Sequence, residues 1–170
     1  MYSFGDLYMR AIDESDLEPI RKMRNDPSTW TYLTDITLLD SNAQRDWFRS
    51  LHKSSKHRYY AVANAKHRLV GLVRMDEIDL INRSARIGCD VIPRYRGHGI
   101  GSKIMGGLVR YCFNYLNLHR VWLAVLETNK AAIRVYEKVG FKPEGRYKEA
   151  IYRDGRYVDY LLYSMIKTNG

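Results

Sequence analysis

The most chemically suggestive stretch of this chain is Arg96-Gly97-His98-Gly99-Ile100-Gly101. It follows Val91-Ile92-Pro93, which reads as the end of a strand. It precedes Ser102 to Tyr115, where Ile104, Leu108, Cys112 and Tyr115 recur at helical spacing. Glycines in such a turn let backbone N–H groups approach a ligand closely and adopt positive φ. Those donors, with the positive end of a helix dipole, suit phosphate. The residue types therefore predict an anion site, most naturally for a diphosphate. Two common phosphate loops do not fit. The GxxxxGK[ST] loop fails because Gly101 is followed by Ser102-Lys103, and GxGxxG fails because Ser102 stands where its third glycine belongs.

A second constellation lies downstream, Asn129 to Phe141. Asn129 precedes a helical pattern that carries Tyr136 and stops at Gly140-Phe141. Asn129 and Tyr136 are two helical turns apart and share one face. A tyrosine so placed is either a core residue whose hydroxyl finds a partner or a proton donor. The residues alone leave both open.

Together the two stretches resemble the cofactor motifs of the GCN5-related N-acetyltransferase (GNAT) family: Arg-x-x-Gly-x-Gly, then Asn, a helix carrying Tyr, and Gly-Phe. The resemblance covers nearly the whole chain. Arg24-Asn25-Asp26-Pro27, the run Gly140 to Gly145 and a hairpin at Asp154-Gly155 look like the branch containing ribosomal-protein, spermidine and nucleotide-amino-sugar N-acetyltransferases. The resemblance implies acetyl-CoA as cosubstrate, no metal, and direct acetyl transfer to a primary amine. It places the diphosphate on Arg96, Gly97, His98, Gly99, Ile100, Gly101 and Ser102. It gives Val91 a main-chain contact to the pantetheine arm, Asn129 the opposite side of that arm, and Tyr136 the role of general acid.

Attack on a thioester needs a neutral amine, and neutralising an alkyl amine at pH 7 costs roughly 4 kcal/mol. A base or a water chain must take the proton, and the developing oxyanion needs a donor such as a backbone N–H near Val91. Some relatives carry a glutamate five residues before the Asn motif, but here that position is Ala124. Glu77 is the expected base, with Asp76, Asp79, Asp90 and Glu127 as other carboxylates in range. Each of them reads first as a solvated or structural carboxylate and only second as the base. Trp30 and Tyr32, in a non-periodic stretch, are the expected acceptor contacts, and Trp47 reads as helix-face packing.

A formal net charge of +9 draws anions and repels polyamines at long range. It favours a nucleotide-linked amino sugar as acceptor over a polyamine, with a protein N-terminus open. A non-catalytic acyl-CoA-binding module is the reading from another class. Basic residues are scattered and form no zinc-finger or RRM pattern, so nucleic acid is not expected as a partner. Cys89 and Cys112 form no CxxC pair and read as reduced thiols. No apolar run reaches the ~18 residues of a membrane span. A cytoplasmic enzyme, one domain over residues 1–170 and a homodimer are the expectations.

These residues must be positioned by a β α α β β β α β α β β succession. The first strand starts at Leu7. Helices follow from Ser15-Asp16 to before Pro27 and, with Ser41 as N-cap, to about Leu51. Strands then cover 59–63, 69–75, 85–91 and 121–126, helices 102–115 and 130–139, and a final hairpin 147–152 and 157–165. The fold class is α/β: a mixed, mostly antiparallel GNAT-type sheet of about seven strands with helices on both faces.

Overall fold

The computed structural model describes residues 1–168. Its strands are β1 (Tyr2–Phe4), β2 (Leu7–Arg10), β3 (Arg58–Asn64), β4 (Leu69–Asp79), β5 (Ser84–Val91), β6 (Arg120–Leu126), β7 (Lys142–Arg153) and β8 (Arg156–Ile166). They form one eight-stranded sheet in the order β1-β2-β3-β4-β5-β6-β8-β7. All pairings are antiparallel except β5 with β6. The helices are α1 (Leu17–Asn25), α2 (Pro27–Trp30), α3 (Ser41–Ser50), α4 (Ile100–Asn114) and α5 (Lys130–Val139).

The sheet has one strand more than the seven the sequence pattern suggests. β1 is only three residues long and turns back at Gly5, whose φ is +71°. Its place is fixed from afar: the Phe4 ring lies where a Cβ at Gly107 of α4 would stand, 2.6 Å away. The expected N-cap of α3 also shifts by one residue. Asp40, not Ser41, caps it, accepting from the Asn42 and Ala43 N–H groups at 2.9 and 2.8 Å.

Alternation along β4 explains the two layers. Val73 and Met75 point to one face and are fully buried with Ile104, Leu108 and Cys112 of α4. Leu72 points to the other face and packs with Leu17, Ile20 and Met23 of α1 and with Trp47 and Phe48 of α3. Helices thus cover both faces of the sheet. Each fully buried aliphatic side chain contributes roughly 1.5–3 kcal/mol of transfer free energy. Arg74 and Asp76 share the face of Leu72, beyond the end of that smaller core.

The feature that matters most for function is where the sheet comes apart. β5 and β6 pair in parallel only from Ser84/Arg120 to Arg86/Trp122. Beyond Arg86 the outer partners continue: β4 follows β5 to Val91, and β8 follows β6 to Leu126. The facing backbone edges of 87–91 and 123–126 are left to border a cleft. α4 and α5 flank that opening on one side, and α2 with the loop after it closes the other.

Candidate active site

The cleft has a volume of about 440 Å³ and is lined by Cys89, Asp90 and Val91 of β5, Ala124 and Val125 of β6, the glycine turn, and α5 from Ala131 to Lys138. At one end stands the N-terminus of α4. Gly99 occupies its N-cap with φ +74° and supplies no side-chain cap. The first N–H groups of that helix, from Ile100 to Ser102, therefore point out unclaimed by any cap. Gly97, with φ +82°, likewise faces open space. Backbone donors, a helix dipole and positive-φ glycines form a cradle that fits a diphosphate.

Gly97, Gly99, Ile100, Gly101, Ser102, Val91, Asn129 and Tyr136 all line this cleft. Asn129 is the N-cap of α5, its Oδ1 accepting from the Ala132 N–H at 3.2 Å. That leaves its Nδ2 to serve a ligand. Tyr136 is 8% exposed. Burial raises its pKa well above the ordinary phenol value, with the neighbouring Cys89 adding to the shift. The Cys89 and Cys112 thiols are pushed up to about 12 by burial. Neither is a thiolate near neutral pH.

One residue of the turn departs from the expectation, and a second makes bonds beyond it. His98 is exposed and lines neither this cleft nor the cavity beside it. Arg96 lines the cleft, and its guanidinium is bound into the neighbouring segment. Its Nη1 donates to the Ser28 carbonyl and hydroxyl at 3.0 and 2.8 Å, its Nη2 to the Thr29 hydroxyl at 2.5 Å, and its Nε to the Val91 carbonyl at 2.8 Å. The arginine of the motif thus also binds the turn to α2.

A second cavity of about 400 Å³ adjoins the cleft. Thr29, Tyr32, Leu33, Arg74, Asp90 and Ala124 line both, so the two meet there. Its walls carry three arginines and three aspartates, and each aspartate has a partner. Asp35 sits 3.5 Å from Arg24. Asp90 is engaged by Arg74, which lies flat because Gly88 has no side chain; a Cβ there would fall 3.0 Å from the guanidinium. Asp76 accepts from the Tyr59 hydroxyl at 2.9 Å and stands 3.0 Å from His57 Nδ1. Burial, then Asp76, pushes the Tyr59 phenol up to about 12. Arg86 donates to the Tyr160 hydroxyl at 2.6 Å and has Glu77 only at 3.6 Å.

The structure separates the expected base and acceptor contacts. Glu77 lies on a bulge of β4 with φ +51°, is exposed, and lines neither cavity. The shift of register between Asp76 and Asp79 turns it outward. Asp79 is held by Asn82, and Glu127 accepts from the Asp159 N–H at 3.1 Å; both stand outside the cavities. Tyr32 lines both cavities, whereas Trp30 lines neither. Trp47, expected as packing, does pack edge-on against Tyr59, and it also lines the second cavity.

Sequence reasoning missed four contributors. Arg74 and Arg86 lie within strands and carry no motif. Arg153, in the final hairpin, donates to the carbonyls of Thr31, Leu33 and Thr34, more than a hundred residues earlier. Gln44 is buried on α3 and lines the second cavity as well as a smaller one between α1 and α3. A signal for it existed: a polar residue at the head of the stripe Gln44, Trp47, Phe48, Leu51.

A cradle for a diphosphate, a split sheet with free backbone edges and a buried tyrosine beside it, opening onto an amine-sized cavity, define an acyl-CoA-dependent N-acyltransferase. The chain belongs to the GNAT acetyltransferase family, whose domain matches residues 6–142. It is an N-acetyltransferase that uses acetyl-CoA. It is 30% identical over 155 residues to a spermidine N(1)-acetyltransferase of Vibrio cholerae serotype O1, covering 91% of this chain and 90% of that protein. It is 28% identical over 171 residues to the L-amino acid N-acetyltransferase AaaT of Escherichia coli K12, covering 96% and 99%. A crystal structure of spermidine N-acetyltransferase from Vibrio cholerae in complex with CoA and spermine superposes with a TM-score of 0.88 at 28% identity, covering 95% of each chain.

Proposed function

We propose that the acceptor is a primary amine on a small polar molecule that also carries an anionic group, with a nucleotide-linked amino sugar as the favoured class. The observation carrying this reading is the charge balance of the acceptor cavity. Arg24, Arg74 and Arg86 match Asp35, Asp76 and Asp90 in number, and every aspartate is already engaged. A polycation would find no surplus negative charge there. A chain of net charge +9 instead draws an anion toward the cavity. Trp47 and Tyr59 supply flat faces for a sugar ring.

Acetyl-CoA supplies the thioester acyl group. The N-terminus of α4 would take the diphosphate, the Cys89–Val91 edge would pair with the amides of the arm as an added strand does, and the Asn129 Nδ2 would hold it from the other side. Tyr136, kept protonated by burial, would donate to the leaving sulfur. The amine proton would leave by water along the acceptor cavity toward Asp76 and His57, which is half exposed. Asp76 thereby replaces the outward-facing Glu77. Self-association as a homodimer would use β7, an outer strand with exposed Tyr147 and Tyr152; a monomer by sedimentation would exclude it.

The test is acetyl transfer to a UDP-linked amino sugar, an amino acid, a peptide N-terminus and spermidine. The highest kcat/KM is expected for the amino sugar, and turnover of spermidine alone would overturn the reading. That second reading, a polyamine acceptor, is favoured by the spermidine N(1)-acetyltransferase relative and by Asp35 and Asp76 on the cavity wall.

A further inference from the structure

Helix α3 presents Gln44, Trp47, Phe48 and Leu51 to the interior at i, i+3, i+4 and i+7. Trp47, Phe48 and Leu51 pack on the smaller core, as that spacing requires. Gln44 occupies a position of the same stripe, is 2% exposed, and is a primary amide rather than a hydrocarbon. Among the described residues, its Nε2 is the buried side-chain nitrogen or oxygen without a hydrogen-bond partner. Buried donors are nearly always satisfied, and one left alone destabilises the fold. A methionine or leucine would fill the same space without that cost. Gln44 lines the acceptor cavity, on the wall that carries Trp47 and Tyr59, and also a smaller cavity between α1 and α3.

We propose that Gln44 is a specificity-determining residue whose amide N–H donates to an oxygen of the amine-bearing substrate. The inference rests on the acceptor reading above and deepens it. The carboxylates of the cavity can receive donors, but each is engaged, and the arginines are bound into ion pairs or to Tyr160. An unclaimed N–H donor selects for a ligand that brings a hydrogen-bond acceptor. Hydroxyl, carbonyl, carboxylate and phosphate oxygens qualify. A polyamine at neutral pH offers ammonium groups, which only donate, and would leave the Gln44 donor unanswered. A site built around such a donor discriminates strongly against analogues lacking its partner.

Two nearly isosteric variants test this, with a UDP-linked amino sugar and spermidine as probes. Gln44→Met removes the donor and suits the apolar stripe. It should lower kcat/KM for the amino sugar about 10- to 100-fold, mainly through the KM of the amine. The KM of acetyl-CoA should stay unchanged, and the thermal midpoint should be equal or higher. Gln44→Glu supplies acceptors only, so it should depress the amino-sugar rate and raise the spermidine rate. A wild-type enzyme that uses the amino sugar, with a Met variant that loses nothing or loses equally on both amines, overturns the role of Gln44 alone. A fall in thermal midpoint for the Met variant, with equal loss on both probes, assigns Gln44 to structure. A wild-type enzyme that turns over spermidine only overturns the acceptor reading and this inference together, since spermidine has no oxygen for Gln44 to meet.

Discussion

The two halves of the site are built from different materials. The cofactor cleft is made of main chain: the N–H groups opening α4, the unpaired edges of β5 and β6, and glycines at φ +82° and +74°. It rests on Ile104, Met105 and Leu108, each fully buried. The acceptor cavity is made of side chains, many borne on residues 29–39, where only Thr29 is fully enclosed. That segment is held less by a core than by arginines reaching from elsewhere: Arg96 onto Ser28 and Thr29, Arg153 onto Thr31, Leu33 and Thr34. A main-chain site is insensitive to most side-chain changes and suits a fixed ligand. A side-chain site on a tethered loop can be recut for another amine while the cofactor half stays intact.

This contrast can be broken most forcefully where the halves meet chemically. Tyr136→Phe should lower kcat about 100- to 10,000-fold while acetyl-CoA affinity, measured by calorimetry, stays within about twofold. Because burial has raised its pKa far above neutrality, Tyr136 remains the protonated form as pH rises. The wild-type kcat should therefore show no alkaline fall up to about pH 9, and such a fall removed by the Phe variant would contradict the assignment.

A change confined to the backbone of the cofactor half comes next. Gly99→Val puts a β-branched residue at φ +74° in otherwise open space, at a cost of about 1–2 kcal/mol. The acetyl-CoA Kd should rise about 5- to 30-fold, with the KM of the amine little changed. On the other half, Arg153→Ala releases three carbonyls of the acceptor loop. It should raise the KM of the amine about three- to tenfold, quicken proteolysis within residues 31–35, and leave acetyl-CoA binding alone. If both ligands weaken equally, the halves are not independent.

The smallest effect lies outside both cavities. The Arg120 guanidinium, then Ser164, lowers the Glu144 pKa to about 2. The folded state thus favours the carboxylate more than the unfolded chain, whose value is near 4.5. The contribution is complete above about pH 4.5 and is lost as pH falls through about 2. Because both partners are about one-third exposed, it should amount to less than about 1 kcal/mol. Glu144→Gln should melt a few degrees lower at pH 7, with the difference vanishing near pH 2 and kcat unaffected.

Much of the cofactor half was legible because its signals are local. Glycines between a strand and a helix, and an Asn-capped helix ending in Gly140, declare their geometry within a dozen residues. The acceptor half was less so. Glu77 and Asp76 are adjacent, and alternation along β4 puts only Asp76 on the cavity's face, while the bulge after it leaves Glu77 exposed. Trp30 and Tyr32 share one irregular stretch, yet only Tyr32 reaches the cavities. No local pattern ties Arg153 to Thr31, and the sequence marks Gln44 only as a polar residue in an apolar stripe.

By itself, then, the order of residues determined the α/β class, the anion cradle at the start of α4 and the helix that carries Tyr136, because propensity, capping and positive φ act over a few neighbours. The tertiary structure decided the rest. It parted β5 from β6 beyond Arg86, brought Arg74, Asp76 and Asp90 onto one face, tied Arg96 to α2, and set Gln44 against the acceptor cavity. Those outcomes depend on strand register and on contacts between residues far apart in the chain, and no local preference encodes either.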